Sequence, residues 1–104
     1  MPSDASLDRA LHAIADPTRR RILQTLKERG NQTKSGGEKP LHGRCLCGGE
    51  IEERIRLSQP TISHHMNILT KAGLVEATKQ GQWRWYRRNE KAIRQVVKTL
   101  RGKL

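Results

Sequence analysis

The stretch Leu57-Ser58-Gln59-Pro60-Thr61-Ile62-Ser63-His64-His65-Met66 decides the fold. Ser58 is a ready N-cap, and Pro60 falls in the first helical turn, where its missing N–H costs nothing. Ile62, Met66 and Leu69 then stand at i, i+4 and i+7 and form one apolar face, and Gly73 closes the helix. With that face inward, Gln59, Thr61, Ser63, His64 and Asn67 are left outward, mostly in the N-terminal half. Short hydroxyl and amide side chains in that position reach base edges and phosphates, and the helix N-terminus adds backbone donors.

The elements on either side agree with this reading. Upstream, Ile51 and Ile55 mark a short helix, with Leu57-Ser58 as the turn between the two. Further back, Asp16-Pro17 reads as an N-cap followed by proline at the first helical position. Ile22, Leu23 and Leu26 are that helix's buried stripe, and Gly30 ends it. Leu7, Leu11 and Ile14 predict a first helix of about two turns. Downstream, Val75–Lys79 and Trp83–Arg88 read as hairpin strands around a Gln80-Gly81-Gln82 tip. Lys79, Arg84, Arg87 and Arg88 give the hairpin charges suited to a phosphate backbone or a minor groove. Trp83 and Trp85 alternate onto one strand face, which predicts that both are core. Asn89 can cap a last helix whose Ile93, Val96, Val97 and Leu100 share a face. The expected fold is mainly α with a small β-hairpin wing, a winged helix-turn-helix in one domain over residues 1–104.

Charge supports a polyanionic partner. The chain carries 21 Lys and Arg against 10 Asp and Glu, a formal charge of +11 over 104 residues. A membrane surface is the competing polyanion, since the last helix is basic from Lys91 to Lys103. Its apolar stripe is better explained by a subunit interface. No apolar run is long enough to span a bilayer, and Met1-Pro2-Ser3-Asp4 lacks the pattern of a signal peptide, so a cytoplasmic location is expected. An enzyme is not expected: the sequence has no Gly-rich phosphate loop and no nucleophile elbow. Phe is absent, so the core is aliphatic, and a chain this short gains from a second subunit.

Residues 31–49 read as a long loop rich in Gly, Lys, Ser and Thr. Near its end lie His42, Cys45 and Cys47. Two cysteines are too few for a disulfide scaffold. They are soft donors for a thiophilic ion, a redox pair, or two loop thiols with no ligand. His64 and His65 are adjacent on a helix, diverge, and chelate one ion poorly; His64 is expected to face DNA and His65 to pack at the helix edge.

Three segments carry a family resemblance. Ala15-Asp16-Pro17-Thr18-Arg19-Arg20-Arg21-Ile22-Leu23 resembles the second helix of ArsR/SmtB regulators. Leu57 to Met66, followed by Leu69 and Ala72-Gly73-Leu74-Val75, resembles their recognition helix, and Gly81-Gln82-Trp83-Arg84-Trp85-Tyr86 their wing. The resemblance implies a homodimer built on the first and last helices, and repression of a double-stranded DNA operator relieved by a ligand. On it, Ser58, Gln59, Thr61, Ser63, His64, Asn67, Lys79, Gln82 and Arg84 are the candidate DNA contacts. The family's soft-metal or As(III)/Sb(III) site is a Cys-x-Cys pair at the start of the third helix, which implies Cys45 and Cys47 as ligands. Counted back from Ser58 the pair lies about two residues early, with Gly48-Gly49 inserted. Glu52 stands where a third cysteine often completes that site, which leaves His42, or a partner subunit's cysteine, as the remaining donor. The carboxylate–histidine metal motif of the family's last helix is absent, its place taken by Asn89-Glu90-Lys91-Ala92-Ile93-Arg94.

Overall fold

The computed structural model describes residues 4–29 and 45–104. The order is α1 (Asp4–Ile14), α2 (Pro17–Arg29), β1 (Leu46–Cys47), α3 (Gly48–Ile55), α4 (Gln59–Lys71), β2 (Val75–Gln80), β3 (Trp83–Arg88) and α5 (Glu90–Lys103). His42 and most of the expected loop lie outside the described residues.

Each helix begins or ends where its local chemistry says it should. The Asp16 carboxylate accepts the Arg19 N–H at 3.1 Å, the N-cap bond expected one residue before Pro17. That bond is the main reason the Asp16 carboxyl is held below its ordinary value. At the end of α4, Gly73 takes φ +77°. Leu74 N–H then reaches Leu69 C=O at 3.1 Å, and Gly73 N–H reaches Thr70 C=O at 3.0 Å. This pair of bonds is a Schellman stop, which needs a left-handed residue and so favours glycine. Asn89 Oδ1 accepts Ala92 N–H at 3.1 Å and starts α5.

The main core is aliphatic except for Tyr86, and Trp85 is buried in a second cluster, so the absence of Phe does not keep aromatic rings out of the interior. Ile22, Leu23 and Leu26 of α2 pack with Ile51 and Ile55 of α3 and with Ile62, Met66 and Leu69 of α4. From α1, Leu7, Ala10 and Ala13 are buried, while Leu11 and Ile14 are half-buried.

The sheet departs from the sequence reading in one important place. Its order is β1-β3-β2, with Leu46 opposite Tyr86 and Cys47 opposite Trp85. The end of the expected loop is therefore a third strand, and Gly48-Gly49 open α3 rather than precede it. Glu50, buried at the third position of α3, accepts the Cys47 N–H at 3.1 Å. This capping bond, with a carboxylate in the first turn of the helix, offsets the poor helix propensity of two glycines. Because alternate residues face opposite sides, Leu46 and Tyr86 join the main core, and Cys45, Cys47 and Trp85 form a second buried cluster.

Two smaller corrections concern the hairpin. Gln80 pairs with Trp83, so the tip is the two residues Gly81-Gln82. Gly81 has φ +60°, as the first position of a type II′ turn demands. Trp85 is buried, but Trp83 is 39% exposed, because strand β3 has no core beneath it next to the tip.

Helix α5 buries none of its residues fully. Ile93 and Val96 touch the core from outside, and Val97 is 56% exposed. Among the described residues, no helix is long and apolar enough to cross a membrane.

Candidate DNA interface

Helices α3 and α4 are joined by Arg56-Leu57-Ser58. Arg56 makes the turn with φ +63° and ψ +43°, and its N–H reaches Glu52 C=O at 2.8 Å. A left-handed non-glycine residue is unfavourable by itself, so the turn is held by the helices on both sides. Arg21 of α2 steadies it further, with Nη1 and Nη2 each 3.5 Å from the carbonyls of Ile55 and Arg54. The Arg19-Arg20-Arg21 run is thus engaged internally. Arg20 donates to Ile14 C=O at 2.7 Å, and Arg19 to Ala13 C=O at 2.7 Å.

On α4, Ile62, Met66 and Leu69 are buried, and Gln59, Thr61, Ser63, His64 and Asn67 are exposed, as the periodicity predicts. Ser58 has extended backbone at the N-cap position, but its side chain makes no bond to the helix backbone. Its hydroxyl instead lies 2.9 Å from Thr61 Oγ1, so the two form one exposed hydroxyl pair at the head of the helix. His65 is half-buried, at the helix edge as expected.

The structure divides the hairpin cations into two groups. Arg87 pairs with Glu76 at 2.9 Å. Arg88 pairs with Glu90 at 2.9 Å and donates to Leu23 C=O at 3.2 Å. Lys79 and Arg84 are exposed, sit directly opposite one another, and have no carboxylate partner among the described residues. Like charges facing across a hairpin cost stability, and an anion between them would offset the cost. Charge composition alone did not separate these pairs; the cross-strand register does.

Between the starts of α3 and α4 and the wing lies a cleft of about 390 Å³. Gln59 and Ser63 of α4 line one wall, Gln82, Trp83 and Arg84 of the wing the other, and Gly48, Gly49 and Glu52 the end. Four expected contacts thus converge on one concavity. Ser58, Thr61, His64, Asn67 and Lys79 lie outside its lining. Trp83 is the residue that the sequence reading assigned elsewhere; its place beside the tip was the available signal that it lies beyond the core.

Cys45 and Cys47 are buried rather than free in a loop, with Trp85 against them. Trp85 Nε1 finds no hydrogen-bond partner among the described residues. Burial and donor type suit a thiophilic ion. No group of three or more His, Cys, Asp or Glu side chains able to hold a metal occurs among the described residues. Among the described residues the donor set there is the two thiols.

Comparison with known proteins matches this geometry. The model of a helix-turn-helix domain family matches residues 14–78. An uncharacterized helix-turn-helix transcriptional regulator of Methanocaldococcus jannaschii is 38% identical over 83% of this chain and 81% of its own length. The arsenical resistance operon repressor of Staphylococcus aureus is 32% identical over 90% of this chain and 76% of its own. Among solved structures, an ArsR-like transcriptional regulator from Rhodococcus superposes with a TM-score of 0.71 at 26% identity, covering 94% of this chain and 78% of that one. With its helix-turn-helix, its paired wing strands and these relatives, the chain belongs to the ArsR/SmtB family of winged helix-turn-helix transcriptional regulators.

Proposed function

We propose that the chain is a homodimeric repressor that grips double-stranded operator DNA with α4 and the wing. The observation that carries this reading is the convergence of Gln59 and Ser63 with Gln82 and Arg84 on one cleft, beside the Lys79–Arg84 couple, which has no carboxylate partner among the described residues. Gln59 and Ser63 read base edges from the major groove. Ser58, Thr61, His64 and Asn67 fix register on the flanking backbone. Lys79, Gln82 and Arg84 hold phosphate or enter the minor groove. The work is done in the cytoplasm, where the DNA is. Titrating the protein into labelled duplex at several salt concentrations tests this, and Arg84→Ala should weaken all duplexes alike. Affinity that is low and independent of salt would contradict it.

The second subunit docks on α5. Its apolar face is exposed at Val97 and half-covered at Ile93, Val96 and Leu100, and Leu11 of α1 is likewise half-covered. A twofold axis there would bury the same patch from each chain.

Release from DNA is assigned to Cys45 and Cys47. Cys47 is the N-cap of α3, the helix that supports α4, and opposes the wing strand at Trp85, and Cys45, two residues earlier, is buried in the same cluster. A soft ion such as As(III) or Sb(III) at this pair would draw further donors from solvent, from His42 or from the partner subunit. To act as an inducer it has to favour the arrangement that binds DNA poorly, since equal affinity for both shifts nothing. Arsenite added to the reduced protein on DNA should release the duplex and change the emission of Trp85. Cys45→Ser with Cys47→Ser should abolish both responses and leave DNA affinity intact. If the reduced wild type keeps its DNA through arsenite, antimonite and cadmium, this part of the reading fails, and a redox or unliganded repressor replaces it.

A further inference from the structure

We propose that Arg19 and His65 form a positioning pair that ties the recognition helix to α1 and α2, and that operator binding falls away in acid as His65 takes up a proton. The proposal rests on the DNA-binding reading above and adds a regulation of the same surface.

Arg19 stands in the first turn of α2 and is 7% exposed, a buried cation. Its Nε donates to Ala13 C=O at 2.7 Å and its Nη2 to His12 C=O at 3.1 Å, the carbonyls that end α1. These carry the negative end of the α1 dipole, which helps to compensate the buried charge. Its Nη1 lies 3.1 Å from His65 Nδ1. A guanidinium only donates, so Nδ1 accepts, and the neutral ring carries its proton on Nε2. One side chain therefore joins α1, α2 and α4.

Protonation reverses the contact. Nδ1 then bears a proton aimed at another donor, and two cations face each other in a partly buried site. Arg19 is fixed by two carbonyls, so His65 is the partner that yields, and α4 moves with it. Ser63 and His64 precede His65 on that helix. The surroundings oppose a charged ring on balance. Burial pushes the His65 pKa down first; Asp16 in the α1–α2 turn works against this, and Arg19 and His64 add to it. Helix α1 brings His12, with Asp8 and Arg9 further along the groove it shares with Ile68 and Lys71. A residue that only packs would leave the affinity indifferent to this proton.

The test uses the full chain and a duplex selected by the wild type from a random pool at about pH 8. Wild-type affinity should fall below the His65 midpoint by up to about tenfold per pH unit for each subunit bound, the limit for one proton apiece. In His65→Asn, the side-chain oxygen lies close to the place of Nδ1 and accepts at every pH, so this acid loss should vanish. His65→Ala should bind weakly at both ends of the range. Independently of DNA, the His65 ring resonances should titrate below about 6.5, and Arg19→Gln should raise that midpoint. Parallel pH profiles for wild type and His65→Asn would overturn the proposal while leaving DNA binding standing, as would a midpoint unmoved by Arg19→Gln. Absence of duplex binding at any pH would instead sink the DNA-binding reading and the regulation with it.

Discussion

Helices α4 and α5 carry nearly the same apolar spacing and put it to opposite uses. In α4, Ile62, Met66 and Leu69 are buried against α2 and α3, which leaves a polar face outside. In α5, Ile93, Val96, Val97 and Leu100 stay partly or largely open, and the polar side is basic. An apolar stripe shows that a face will be covered; it does not show whether the cover comes from the same chain. For α4 the cover is internal and the polar face is free to meet DNA. For α5 the cover is still outstanding, and a second copy of the chain supplies it in the reading proposed above.

The sharpest way to break this comparison is to cut one residue from each stripe. Leu69→Ala removes a fully buried side chain and should cost about 2–5 kcal/mol in urea unfolding. Val97→Glu should change subunit unfolding by less than about 1 kcal/mol, because the site is open to water. It should nevertheless drive the protein to monomer in sedimentation velocity. Equal losses of stability in the two variants, each compared with wild type dilute enough to be monomeric, would mean that α5 is packed within its own chain.

The polar face of α4 comes next. Gln59→Ala or Ser63→Ala should reduce discrimination between a selected duplex and a scrambled one by about 1–3 kcal/mol for a base contact. Competition binding reads this directly. Arg84→Ala should lower the slope of log affinity against log salt by about one for each subunit bound, with little change in sequence preference. Arg87→Ala is its counterpart: Arg87 is paired with Glu76, so the slope should stay near wild type. If Arg87 changed the slope and Arg84 did not, the division between paired and unpaired wing cations would be wrong.

The smallest effect expected is at Asp16, in the turn on which both α1 and α2 depend. Its carboxyl is held below the ordinary value, chiefly by the Arg19 N–H. A lowered folded-state pKa gives stability that is present above the unfolded value and is lost as pH falls through the folded one. The urea midpoint of the wild type should therefore decline below about pH 4, and Asp16→Asn, which caps without titrating, should flatten that decline.

Most of the helical frame was legible because its signals are local. The Asp16-Pro17 start, the Ile62/Met66/Leu69 face, the Gly73 stop and the Asn89 cap each depend on residues within one or two turns. What stayed illegible depends on partners distant in the chain. Leu46-Cys47 is a strand because of Tyr86 and Trp85 some forty positions away, and nothing local distinguishes it from loop. Arg19 is buried and engaged by His65, and Arg88 is half-buried and engaged by Leu23, so a run of basic residues concealed structural and available charges alike. Trp83 and Trp85 share an alternation but not a depth, since periodicity gives the face of a strand and not where the core beneath it ends.

In the proposed dimer, α4 and the wing of each subunit read a duplex as a twofold pair. Selection of bound duplexes from a random library tests it most directly. An enriched inverted repeat is expected, with half-sites about one helical turn apart or a multiple of that. Ser63→Ala or Gln59→Ala should blur the repeat. Recovery of duplexes with no shared sequence, or a motif unchanged by both substitutions, would contradict it.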